Sequence, residues 1–447
     1  MIGAALAAAG LLLAYVPVAI AADPSFGRPT ATADFGQSIE FEQPVTLDEE
    51  IAAAELLLTF ADAPGPTVIE ATPPSGTGSK VLTETFSLDE DGFVAPNTRV
   101  TARWRLYPSA SPETPVTGPE VSILYEDDRF DWRTEAGDIV RVHWYEGSDA
   151  FGARALTIAE DAVESSSTLL GVTETEPIDF YVYASQDAFY GALGPGTREN
   201  VGGQANAEIR TLFALITPGE IDDVWVRTVI PHELTHLVFD TAVTNPYHFP
   251  PRWLNEGVAE YQSGGYDASY RSTIASMAKS GELIPLDGLA GQFPTTFERF
   301  NLAYAESTAA VTYLVETHGQ DALVQLVRSY AEGLTDDEAF TQALGIDATA
   351  FGDAWLESVG AVAPTRYGPQ PAMPGPVPSA WSGVPAPGIT PAPGAPTVPP
   401  ATGEEPGSDA STDSAGGIVL VVVVLASAVV AVVGLIAWRR RQDAAES

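Results

Sequence analysis

Hydrophobic patterning divides the chain into two textures. From Asp23 to Arg129, short runs alternate apolar and polar residues; Ser38-Ile39-Glu40-Phe41-Glu42 is the cleanest, and Thr98 to Leu106 alternates more loosely. Alternation sends successive side chains to opposite faces of an extended strand. The runs Glu55 to Phe60 and Glu120 to Tyr125 are further members, and clusters of Pro, Gly and Asp separate them as turns do. Residues 23–129 are therefore expected to form an all-β antiparallel sandwich, immunoglobulin-like by strand count and length. Asp48 to Ala54 fits a short helix as well as a strand.

Beyond Asp138 the period changes and mixed α and β elements follow. Ile139 to Tyr145 reads as a strand, Ala150 to Leu170 as a helix, Ile178 to Tyr183 as a strand and Gln186 to Leu193 as a short helix. Gly202-Gly203-Gln204-Ala205-Asn206 leads into another strand, Thr211 to Ile216, and Val224 to Asp240 reads as a helix carrying Pro231. Apolar residues at helical spacing continue in Ala309 to Thr317, Ala322 to Ala331, Asp337 to Leu344 and Phe351 to Val359. Residues 130–360 are thus expected to form an α+β domain with a helical C-terminal lobe, and no internal repeat is evident.

The ends of the chain have patterns of their own. Ile2 to Ala22 is apolar and closes in Ala19-Ile20-Ala21-Ala22, a small-x-small run, so residues 1–22 read as a signal peptide, although no Lys or Arg precedes the run. Residues 361–416, dense in Pro, Gly, Ser and Thr, cannot bury enough apolar surface to fold and read as a disordered stalk. Residues 417–438 are apolar and uncharged over the length of a transmembrane helix. Arg439-Arg440-Arg441 follows, which puts the tail 439–447 in the cytoplasm and the bulk of the chain outside the cell. The expectation is a single-pass cell-membrane protein with its folded part extracellular.

Composition narrows the partners. The chain of 447 residues carries a formal charge of −39, with Lys80 and Lys279 its lysines. Such a surface repels nucleic acid. Cysteine is absent, which excludes a disulfide framework, a cysteine nucleophile and a thiolate metal site.

The chemistry concentrates in His232-Glu233-Leu234-Thr235-His236. Positions i and i+4 of a helix share a face, so both imidazoles reach one ion, with Glu233 beside them. Twenty positions after His236, Trp253-Leu254-Asn255-Glu256-Gly257-Val258-Ala259-Glu260-Tyr261 supplies a third candidate ligand, Glu256. Catalytic zinc keeps three protein ligands and leaves the fourth position to water, whose proton a neighbouring carboxylate can take. Glu260, one turn beyond Glu256 on the same face, is the candidate to orient a histidine from behind.

His-Glu-x-x-His followed by Asn-Glu-Gly-x-Ala-Glu resembles the gluzincin metallopeptidases, the thermolysin and aminopeptidase type, and is most similar to the bacterial peptidase MA family. The resemblance runs from roughly Asp131 to Gly360 and is sharp at the two motifs. It implies one zinc per chain held by His232, His236 and Glu256, with Glu233 as general base and Glu260 orienting the first histidine. It also implies a tyrosine donor to the oxyanion, for which Tyr304 is the candidate and Tyr261, Tyr266 and Tyr270 compete. By the same resemblance the strand just before the zinc helix is an edge that pairs with substrate, so Gly203 to Asn206 face it. The Gly-x-Met-Glu-Asn motif of amino-terminal recognition is not found, which leans toward an endopeptidase. His143, His248 and His318 show no ligand spacing and read as surface or loop residues.

These features together predict a membrane-anchored extracellular zinc metallopeptidase acting on a peptide or protein substrate. The alternative is a catalytically inactive peptidase-fold protein serving binding or adhesion at the cell surface. A cation-binding role for the acidic surface has no EF-hand loop to support it.

Overall fold

The computed structural model describes residues 24–61, 65–194, 202–244 and 249–365. The expected signal peptide, transmembrane helix and tail, and the stalk from residue 366, lie outside the described residues, as does His248. Among the described residues no helix is long and apolar enough to cross a membrane.

The N-terminal part is two antiparallel sheets closed on one core. In the first, β3 (Ser38–Leu47) pairs with β1 (Ser25–Phe26), β2 (Thr30–Asp34) and, along its whole length, β6 (Gly78–Ser87). In the second, β7 (Thr98–Pro108) pairs with β4 (Ile51–Phe60), β8 (Val116–Thr117) and β9 (Val121–Tyr125), and β5 (Thr67–Ala71) pairs with β4. The alternation read from the sequence is the cause. Ile39, Phe41, Val45 and Leu47 of β3 face Leu56 and Leu58 of β4 and Val100, Trp104 and Leu106 of β7 in one buried cluster. Gln43 falls in the inward register of β3, and its Nε2 donates to the Gly27 and Pro44 carbonyls at 2.8 and 2.7 Å. Asp48 to Ala54 forms no helix: β4 starts at Ile51, with a register shift against β7 between Ile51 and Ala53. Pairing with a long neighbour overrides the helix propensity of three successive alanines.

The second sheet system has the order β10 (Arg133–Ala136), β11 (Val140–Trp144), β12 (Ile178–Tyr183), β14 (Thr211–Leu215), β13 (Gly203–Asn206). The three inner strands are parallel and the two edges antiparallel. Strand β12 is buried at every position, as a central parallel strand covered on both faces must be. The strand preceding in sequence the helix of His232 and His236, β14, is therefore interior, and among the described residues the free edge belongs to β13, because the chain doubles back once before entering the helix.

Helix α1 (Asp149–Leu170) packs on this sheet, and α2 (Gln186–Leu193) packs against β12 and β14, its Phe189 and Leu193 clustering with Tyr181, Tyr183 and Phe213. Helix α3 (Val226–Val243) is apolar nearly all round, burying Val226, Val229, Ile230, Leu234, Leu237, Val238 and Phe239, and is the interior helix of the domain. Pro231 sits in its second turn without ending it. Then come α4 (Arg252–Ser263), α5 (Ala268–Ser280), α6 (Phe297–His318), α7 (Gln320–Ala331), α8 (Asp336–Leu344) and α9 (Ala348–Ser358). The helical segment expected at Ala309 to Thr317 is the second half of α6, a single helix of 22 residues. Helix α5 was not legible from periodicity, and Ile274 is its one fully buried residue.

Helices α4 and α6 approach so closely that a Cβ on Gly257 would lie 2.5 Å from the Ser307 carbonyl oxygen. The glycine beside Glu256 is thus a packing requirement.

Polar side chains join the two parts. Asn97, at φ +66° in the sandwich, donates to Asp179 on β12 at 3.1 Å and to Thr211 on β14 at 2.9 Å. Asp179 also accepts from Arg141 at 2.8 and 2.6 Å and meets His143 Nε2 at 2.8 Å. His143 is accordingly no surface or loop residue: it lies on β11, stacked on Tyr181, with its Nδ1 2.9 Å from the Thr134 hydroxyl. Burial opposes ionisation of Asp179, but the bonds from His143, Arg141 and Asn97 prevail and hold it at about 2.

Two outcomes follow from this packing. Gly257→Ala adds about 1 kcal/mol of helix propensity but forces a contact with main chain that costs about 1–3 kcal/mol. The thermal midpoint is expected to fall by a few degrees in a melting experiment. Asp179 has a depressed folded-state pKa, so its stabilisation is complete above the ordinary value of 3.8 and is lost as pH falls through about 2. Asp179→Asn is expected to lower stability near neutrality, with the deficit closing across that acid window in urea titrations.

Candidate active site

Helix α3 presents His232, Glu233 and His236 from its buried interior. Their partner helix α4 begins directly after Pro250-Pro251, where proline is compatible with a helix start, and carries Glu256 one turn in. The Nε2 atoms of His232 and His236 are 3.1 Å apart. Both face Oε2 of Glu256, at 3.7 and 3.6 Å. One ligand atom from each residue lies within 4.8 Å of the others, and among the described residues this is the group able to hold a metal.

The donor set fits a divalent metal. Oε2 of Glu256 is buried and has no hydrogen-bond partner, and it is the atom that both ring nitrogens face. Positive charge is called for at that point. In the chain alone a proton supplies it: burial works against a charged His232, yet Glu256 and Glu260 hold its proton on, to about 10. Burial and the neighbouring His232 charge lower His236 to about 4. Glu256 is held down at about 2 by His232, His236 and Arg252 in spite of its burial. Two imidazoles and one carboxylate are the ligands zinc prefers, whereas calcium and magnesium select all-oxygen sets.

Each of the three candidate ligands has a polar side chain behind it. His232 Nδ1 approaches Glu260 Oε1 at 3.3 Å, and the Tyr270 hydroxyl donates to Glu260 Oε2 at 3.1 Å. His236 Nδ1 meets Asn255 Oδ1 at 2.9 Å. Arg252 reaches Oε1 of Glu256 through both Nε and Nη2, each at 3.1 Å. Asn255, Arg252 and Tyr270 were not singled out for these positions from sequence. For Asn255 and Arg252 a signal was present, since they stand one residue and one helical turn before Glu256.

Glu233 is fully buried and lies against β13. Its Oε2 accepts from the Ala205 N–H at 3.1 Å, while Oε1 has no hydrogen-bond partner. A Cβ on Gly203 would come within 3.0 Å of Glu233 Cγ and of Val229, so glycine lets β13 lie close on α3. Burial, reinforced by the Glu256 charge against the opposing pull of His232, raises Glu233 to about 7. Asn206, at the far end of β13, accepts from the Ile209 N–H at 3.4 Å and so shapes the turn into β14.

Tyr304 projects from α6, 2% exposed, between Phe293 and Phe300. Its hydroxyl lies against the Arg252 guanidinium, one side chain away from Glu256. Of its competitors, Tyr270 is tied to Glu260, and Tyr266 packs under Arg271 at 5.2 Å.

Residues 158–361 match the family model of the Peptidase MA superfamily. No curated protein matches the chain. Among solved structures the chain is similar to an M1 zinc metallopeptidase from Deinococcus radiodurans, at 15% identity and TM-score 0.34, covering 76% of this chain and 93% of that one. It is also similar to an aminopeptidase N family protein from Idiomarina loihiensis, at 10% identity and TM-score 0.39, covering 74% and 75%. The matched segment spans both motif helices, α3 and α4, and this similarity to the Peptidase MA superfamily supports a gluzincin-type zinc peptidase domain in residues 158–361.

Proposed function

We propose that this chain hydrolyses peptide bonds of an extended peptide or protein substrate, with His232, His236 and Glu256 as zinc ligands and Glu233 as general base. The observation that carries the reading is the placement of Glu233. Its partnerless Oε1 is buried one residue from a zinc ligand, and its other oxygen is held by the free-edge strand β13. Zinc in such a site supplies Lewis acidity, acidifying water and polarising a carbonyl.

The chain's own residues do the rest. Among the described residues β13 has an open edge, on which an extended substrate adds as a further strand, bringing a peptide carbonyl past Glu233. Glu233, raised toward neutrality, takes a proton from the attacking water and returns it to the departing amine. Tyr304, held beside Arg252, is the donor we assign to the developing oxyanion. Glu260 and Asn255 keep the two imidazoles turned toward the ligand position. No acidic side chain stands in β13 to receive a substrate's free amine, which supports cleavage within chains rather than at their amino ends. The apolar run 417–438, followed by three arginines, supports anchoring in the cell membrane with this domain outside.

Purified full-length chain is expected to hold about one zinc, the number a three-ligand site takes. Absence of bound metal together with failure to take up added zinc would sink the proposal. Glu233→Gln is expected to retain zinc while hydrolysis of a peptide library falls by about 10²–10⁴-fold; wild-type rates from that variant would remove Glu233 from the mechanism. Asn255→Ala and Glu260→Ala are each expected to weaken zinc by about 10–100-fold in competition with a chelating dye. Unchanged affinity would leave those residues without an orienting role.

A further inference from the structure

Arg252 departs from the usual pairing of guanidinium with carboxylate. A guanidinium fork normally spans both oxygens with two parallel bonds. Here Nε and Nη2 both converge on Oε1 of Glu256, each at 3.1 Å, and Oε2 is left to the histidine nitrogens. The arrangement is rigid for three reasons. Arg252 and Glu256 stand at i and i+4 on α4, the guanidinium lies 4.7 Å from the Phe293 ring centre, and the Tyr304 hydroxyl is hydrogen-bonded to it. The Arg252 side chain is 12% exposed, so water does not compete freely for Oε1.

A carboxylate can bind a cation through one oxygen or through both. A catalytic zinc site with three protein ligands works because a fourth position stays open. A second oxygen from Glu256 would add a fifth bond beside the water and crowd that position. We propose that Arg252 is a positioning residue that restricts Glu256 to a single ligand oxygen and so keeps the fourth position open. The inference rests on the zinc-peptidase reading above, and its content is the reason the third ligand leaves room for reactants.

The test is the visible spectrum of cobalt(II) in the full-length chain, because four-coordinate cobalt absorbs much more strongly than five-coordinate cobalt. Wild type is expected to give the intense four-coordinate bands. Arg252→Met keeps an unbranched apolar stem against Phe293 but frees Oε1. It is expected to lose band intensity and to lose about 10–100-fold in kcat with zinc, the range seen for ligand-supporting residues, at an unchanged KM. Arg252→Lys keeps charge and one donor and is expected to fall between the two. A merely structural role for Arg252 would lower the melting temperature without altering the cobalt bands. An Arg252→Met protein with wild-type band intensity and kcat would overturn the inference. Should that variant not fold, Arg252→Lys decides: weakened bands support the proposal and wild-type bands refute it. Failure of wild type to take up cobalt or zinc at all would instead bring down the zinc-peptidase reading.

Discussion

Two imidazole nitrogens 3.1 Å apart, facing a carboxylate oxygen with no hydrogen-bond partner, are tolerable only if positive charge sits among them. That requirement organises the catalytic half of the molecule. Water cannot provide the compensation, because His232 and Glu233 are fully buried and Glu256 nearly so. The charge comes from the proton that His232 holds in the chain alone, or from a metal cation enclosed by the helices in its place. Burial is also what makes the cluster chemically useful, since the same exclusion of water lifts Glu233 to about 7, where a carboxylate accepts a proton readily.

The surrounding structure serves to hold the donors still. Helix α3 contributes the two histidines and Glu233, and α4 contributes Glu256, Glu260, Asn255 and Arg252 from successive turns. Helix α4 owes its depth to Gly257, which permits contact with the backbone of α6, and α6 in turn brings Tyr304 to Arg252. On the opposite side, Gly203 allows β13 to lie against Glu233. The sandwich enters through Asn97 and Asp179, which fasten it to the strands that end in this edge. A domain without visible chemistry thereby borders the sheet that carries β13.

How much of this was legible in the chain depends on the range of the interaction concerned. The sandwich strands and the central β12 followed from local periodicity, because the alternation of Ile39, Phe41, Val45 and Leu47 is itself the code for one buried face. Short elements did not follow. Strand β13 contains only Gly-Gln-Ala-Asn, a composition that reads as a turn and becomes a strand through pairing with β14. The first strand after Asp48 has a helical composition and is overruled by pairing with β7. Helix α5 buries too little to leave a period.

The site divides along the same line. His232 and His236 were named from sequence because a helix puts residues four apart on one face, and Glu233 and Glu256 because of their places in the two motifs; the structure brings His232, His236 and Glu256 together as a candidate group. What lies behind them was decided by the tertiary structure. No spacing rule says that Tyr270 backs Glu260 from ten residues away, that Tyr304 meets Arg252, or that β13 rather than β14 is the free edge. Those contacts join separate elements, and they exist only where packing has already fixed the helices and strands against one another. The sequence by itself named the candidates for holding a metal and moving a proton; the fold decided which way each of them points, because orientation comes from neighbours distant along the chain.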